Sequence, residues 1–132
     1  MDEFEKREQS RGTIKVTAQI VNLKLRYTPH AWHPATDLFE TADEYLIKVE
    51  IAGLNEEDIT VCIEGNSVLV SGERPLVNPD GAFHRLEIPY GEFNTMVDVP
   101  NDIDHKNIQA IYKNGFLEIR LPKILPVNIK VK

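Results

Sequence analysis

Apolar and polar residues alternate with a period of two along much of the chain, the pattern of strands that bury one face. Tyr45, Ile47, Val49 and Ile51 alternate with Lys48 and Glu50. Gly53 closes that run, and Asn55-Glu56-Glu57-Asp58 is a polar turn before Ile59, Val61 and Ile63, which alternate with Thr60, Cys62 and Glu64. Gly65-Asn66 is a hairpin signal, and the Val68-Leu69-Val70 run after it reads as buried on both faces. Phe93, Thr95, Val97 and Val99 form a further alternating strand ended by Pro100. Asn114-Gly115 is the strongest hairpin signal, because a type I′ turn needs two positive φ angles. Leu117, Ile119 and Leu121 follow it, and Pro122 is expected to stop that strand.

Four segments are read differently. Residues 13–27 fit a strand (Ile14, Val16, Ala18, Ile20) and also a helical stripe (Ile14, Ala18, Val21, Leu25), with β-branched content favouring the strand. Pro75, Leu76, Val77, Asn78, Pro79, Asp80, Gly81 and Ala82 form a connection longer than a tight hairpin needs, with a turn at Asn78-Pro79-Asp80-Gly81. Residues 101–109 are polar, with room for one helical turn. At the C-terminal end, Pro122 and Pro126 bracket Lys123-Ile124-Leu125, and Val127, Ile129 and Val131 share one face of an extended segment.

Composition agrees with an all-β chain. Val and Ile number 24 against 18 for Leu and Ala, and seven Gly and eight Pro punctuate the short apolar runs. The length of 132 residues suits one domain with a core of its own. No apolar run approaches the roughly 20 residues of a membrane-spanning helix. The single Cys62 fits a reducing compartment, and the charged opening MDEFEKRE lacks the apolar centre of a signal peptide. Together these predict a cytoplasmic location.

The net charge of −6 is unevenly distributed: residues 1–31 carry +2, residues 32–123 carry −10 and residues 124–132 carry +2. An acidic body argues against a nucleic-acid partner, which needs clustered Lys and Arg. The chemistry of catalysis is missing from the pattern: there is no phosphate-binding glycine loop, no HExxH and no GxSxG. His30, His33, His84 and His105 lack metal-ligand spacing, and Glu56-Glu57-Asp58 lacks that of a calcium loop. No cofactor or metal is expected. The C-terminal tail stands out, because three alternating β-branched residues after two prolines suit strand addition to another subunit.

Several motifs, in order, resemble those of the small heat-shock proteins, the α-crystallin domain family. AIYKNGFLEIRLPK is similar to the family signature, with Ala110 followed by Asn114, Gly115, Phe116 and Leu117. Pro34, Asp37 and Glu40, then YLIKVEIAGLNEEDITV, LVSGER and FHRLEIPYGEF, precede it in family order. The resemblance implies an immunoglobulin-like β-sandwich over residues 32–123, with a flexible N-terminal arm (1–31) and a C-terminal extension (124–132). It implies homodimers, larger oligomers and ATP-independent binding of unfolding client proteins. By position, Val127 and Ile129 correspond to the family's anchor, with Val131 offering a shifted register. Val61, Ile63 and Ile111 correspond to the groove that accepts it. Pro75 to Ala82 is where a strand swaps between dimer partners, and Ile14, Val16, Ile20, Leu23, Leu25 and Trp32 of the arm are candidates for client contact. One departure is Thr95, where family members usually carry Arg, which removes an arginine-based dimer contact from the expectation. A monomeric sandwich adaptor with one defined partner is the alternative, and native mass separates the two.

Overall fold

The computed structural model describes residues 12–18, 28, 30–77 and 80–124. It is nearly all β, in two packed sheets. The strands are β1 (Thr13–Ile14), β2 (Val16–Ala18), β3 (Thr36–Glu40), β4 (Glu44–Glu50), β5 (Ile59–Glu64), β6 (Ser67–Arg74), β7 (Gly91–Asp98), β8 (Gln109–Lys113) and β9 (Phe116–Pro122). One sheet has the order β1-β8-β9-β4-β3 and the other β2-β5-β6-β7.

The alternation read from the sequence becomes the core. Tyr45, Ile47 and Val49 of β4 and Leu117, Ile119 and Leu121 of β9 point inward from one sheet. Val61 and Ile63 of β5, Val68 and Val70 of β6, and Phe93 of β7 meet them from the other. Burying such side chains stabilises the fold by about 1.5–3 kcal/mol each. Two polar groups that end inside have partners: Asn101 donates to the Tyr45 hydroxyl at 2.7 Å, and the Tyr112 hydroxyl donates to the Ile51 carbonyl at 2.7 Å. The Asn114-Gly115 turn has φ of 55° and 80°, the two positive angles its dipeptide predicts.

The polar stretches at 55–58 and 101–109 each hold one 3-10 turn, Glu56–Asp58 and His105–Asn107. The Asp104 carboxylate caps the second, accepting from the Lys106 amide at 3.0 Å and the Asn107 side chain at 2.6 Å. Pro122 ends β9, as expected. It pairs with Glu44 as the last residue of the strand, and Lys123 continues as a bridge to Ile103. The Lys123 amide donates to Asp43 on the β4 side, so the Pro122 nitrogen lies on the opposite flank, where β8 has already ended and no donor is required.

Candidate functional site

Residues 13–18 are extended, yet they do not form one strand. β1 pairs antiparallel with β8, Ile14 opposite Ala110, while β2 pairs parallel with β5, Val16 opposite Val61 and Ala18 opposite Ile63. The chain crosses from one sheet to the other at Lys15 and closes the open side of the sandwich between β5 and β8. Alternation sets what each residue does there: Ile14 is buried at 6% exposure and Val16 is half-buried, both against the core, while Thr13, Lys15 and Thr17 face out.

Gly12 sets the entry angle of this segment. Its φ is +86°, and a Cβ there would lie 2.6 Å from the Tyr112 carbonyl oxygen. The Gly12 carbonyl accepts from the Tyr112 amide at 2.6 Å, and its own amide donates to the Glu56 carboxylate. Beside the seated segment, a pocket of about 440 Å³ remains, lined by Ile14, Val16, Ile63, Ile108, Ala110 and Ile111 among others. His105 and Lys106 form part of its rim.

Of the residues expected to accept an anchor, Val61 and Ile63 are buried in β5, and Ile111 is 44% exposed on the outer side of β8. Two residues expected in a client-binding arm, Ile14 and Val16, sit in that same groove. Trp32 lies at the far side of the sandwich, bridged to Phe93 with ring centroids 5.5 Å apart, its indole N–H donating to the Gly91 carbonyl at 3.2 Å. The Arg74 guanidinium stacks on Trp32 at 4.4 Å and donates to the Pro89 and Ala52 carbonyls. Ile20, Leu23, Leu25, Asn78, Pro79, Val127, Ile129 and Val131 lie outside the described residues. Thr95, where an arginine was absent from the pattern, is buried and accepts from the Thr36 hydroxyl at 3.0 Å.

A second surface was only partly foreseen. The connection from β6 to β7 exposes Leu76 and Val77, as the reading of Pro75 to Ala82 implied, and also Phe83, Leu86 and Ile88. β3 is the outer strand of its sheet and exposes Leu38 and Phe39. The signal for the later residues was present as the alternation of Leu86 and Ile88 with Arg85 and Glu87. Among the described residues, no group of three or more His, Cys, Asp or Glu side chains converges on a metal position, and no helix is long and apolar enough to cross a membrane.

Residues 37–132 match the family described as Hsp20/alpha crystallin. The chain is 34% identical over 111 residues to spore protein SP21 of Stigmatella aurantiaca, covering 80% of this chain and 66% of that one. It is 36% identical over 109 residues to a 22.0 kDa heat shock protein of Arabidopsis thaliana, covering 80% and 56%. It therefore spans somewhat over half the length of these relatives. Among solved structures, HSP18.5 from E. histolytica superposes with a TM-score of 0.66 at 32% identity, over 76% of this chain and 100% of that one. A small heat-shock protein from Xylella fastidiosa, described as having a distinct high order structure, gives 0.64 at 27% identity over 76% and 97%.

Proposed function

The chain belongs to the Hsp20/alpha crystallin family, and from that premise we propose that it is an ATP-independent chaperone that binds unfolding proteins and keeps them from aggregating, as an assembly of copies of itself. The observation that supports this best is the groove between β5 and β8, which holds an extended Ile-x-Val segment by backbone pairing and by apolar side chains at alternate positions. A segment of the same chemistry from a second copy, Val127 to Val131, would dock there and link subunits. Burying one Val and one Ile contributes about 3–6 kcal/mol gross. Ordering the tail and losing free translation offset several kcal/mol of it. Single tails then bind weakly and many tails hold an assembly together, so subunits exchange.

The dimer contact is assigned to Pro75 to Ala82 and the residues after it. Leu86 and Ile88 alternate as a strand does and join no sheet among the described residues, while β3 offers an outer edge with no neighbour among them. Clients are assigned to the apolar arm residues, Ile20, Leu23 and Leu25, joined by Ile14 and Val16 when these leave the groove. Residues 1–31, 32–123 and 124–132 then divide as arm, sandwich and tail, working in the cytoplasm.

The test is aggregation of a heated client followed by light scattering, without nucleotide. Suppression near equimolar protein is the expected result, and no suppression at several-fold excess refutes the reading. Val127→Asp with Ile129→Asp should reduce the native mass to that of dimers.

A further inference from the structure

We propose that the outer face of β6 and β7 carries a calcium site, in which the Glu73 and Glu92 carboxylates, the Ser71 hydroxyl and the side-chain carbonyl of Asn94 hold the ion.

The pairing of β6 with β7 sets Ser71 opposite Asn94 and Glu73 opposite Glu92. Residues two apart on a strand share a face, and these four lie on the face away from the core, since their sequence neighbours Val70 and Phe93 are buried within it. Residues directly opposed on antiparallel strands hold their Cβ atoms about 4.5–5.5 Å apart, and like charges there repel. Neither glutamate has a basic partner among the described residues. Arg74, next in sequence to Glu73, lies over Trp32 and spends its fork on the Pro89 and Ala52 carbonyls.

Asn94 supplies the independent sign of a ligand. It is 2% exposed. Its Nδ2 donates to the Thr28 carbonyl at 3.1 Å, which fixes the amide, because turning it over would set two carbonyl oxygens against each other. Its Oδ1 is then buried with no donor, and buried acceptors are nearly always satisfied. Asn94 lines a crevice of about 330 Å³ together with Ser71, Glu73 and Glu92, and with Thr28 and Ala31 across from the sheet. No lysine, arginine or histidine lines it.

The donor set selects the ion. Two carboxylates match a divalent charge, and the remaining donors are neutral oxygens, with no imidazole or thiolate to favour zinc or copper. Calcium accepts carboxylates, amide carbonyls and waters in flexible geometry, whereas magnesium demands a near-ideal octahedron and keeps its own waters. Four side-chain donors carrying two charges correspond to the weak class of calcium site, with Kd of about 10⁻⁴–10⁻³ M. A bound ion cancels the Glu73–Glu92 repulsion at the end of the β6–β7 pair from which the long connection departs.

The probe is terbium, which takes calcium sites and emits when a tryptophan beside it is excited. Trp32 is the only tryptophan, and it runs alongside β7, its amide donating to the Glu92 carbonyl at 3.1 Å and its carbonyl accepting from the Asn94 amide at 3.1 Å. The full chain is expected to give sensitised terbium emission that calcium displaces and equal magnesium does not. Glu73→Gln with Glu92→Gln should weaken terbium at least about tenfold, and Asn94→Asp should tighten it about tenfold, as charge count sets affinity. Glu57→Gln, in the other acidic cluster, should change nothing. Calcium at about 10 mM should raise the melting temperature of the parent by about 3–8 °C and leave that of the Glu73→Gln, Glu92→Gln chain in place. Without cations this double variant should melt no lower than the parent, since a repulsion has been removed, so a failure to bind is not a failure to fold. Absent emission, or emission and calcium shift that survive the double substitution, overturns the site. Equal displacement by magnesium overturns the choice of ion. Unchanged affinity in Asn94→Asp overturns Asn94 as a ligand.

Discussion

The carbonyl oxygen of Tyr112 lies 2.6 Å from the place a Cβ on Gly12 would occupy, and the amide of the same tyrosine donates to the Gly12 carbonyl. The arm strand is clasped only because residue 12 has no side chain. Gly12→Val is expected to open β1 without touching the groove. A strained positive φ costs about 1–3 kcal/mol, so hydrogen exchange at the Tyr112 amide should accelerate by about tenfold or more. Protection at Val68, deep in β6, should not change. Unaltered exchange at Tyr112 would show that the clasp does not hold the arm.

Gly72 carries a different kind of constraint. A Cβ there would stand 2.1 Å from the Asp58 carbonyl oxygen and 2.7 Å from the Phe93 ring. Neither the backbone nor a fully buried ring yields cheaply. Gly72→Ala is expected to destabilise the sandwich by about 2–3 kcal/mol, lowering the melting temperature by about 6–12 °C. Calorimetry checks it, and a melting temperature within a degree of the parent refutes it.

Arg74 joins the long connection to the sandwich. It donates to Pro89 at 3.0 and 2.6 Å and to Ala52 at 3.2 Å while lying over the Trp32 ring. A lysine has one ammonium and no planar fork, so it cannot make these contacts together. Arg74→Lys should cost about 1–2 kcal/mol. Trp32 is the only tryptophan in the chain, so the protein's tryptophan emission comes from the ring under Arg74 and should change with the substitution even in the folded protein.

The cap at Asp104 predicts a pH dependence. The Asn107 side chain, then the Lys106 amide, hold its carboxyl below the usual aspartate range. The folded value is depressed, so the stabilisation is complete above the unfolded value and is lost as pH falls through the folded one. A carboxyl titration followed by NMR should give a midpoint below that of an unstructured aspartate. Asp104→Asn should remove that component of acid sensitivity, and a midpoint at the ordinary value would refute the cap.

What could be read beforehand was what has a short-range cause. Tyr45 to Ile51 announced β4 by alternation, and Asn114-Gly115 announced its hairpin because few dipeptides tolerate two positive φ angles. Likeness to a family pointed to a groove at Val61, Ile63 and Ile111 with the tail as its occupant, and did not foresee the arm strand that pairs there. Ile14 and Val16 carry the same alternating signal whether they face solvent, a client or Val61, because the choice depends on where distant β8 and β5 leave an edge. β3 was missed as a strand, since Thr36–Glu40 has little apolar alternation and is held by pairing with β4. Pro122 ends β9 as expected, and its missing donor falls on the flank away from β4.

The pairing of Thr13 with Ile111 joins residues separated by most of the chain's length. A polypeptide made from its N-terminus presents Ile14 and Val16 long before the strand that shelters them has been synthesised. Closing so long a loop is also entropically costly, so the β1–β8 pairing is expected to form late in folding. Every newly made copy thus passes through a stage in which Ile14 and Val16 are exposed and the edges of β5 and β8 that they cover stand open.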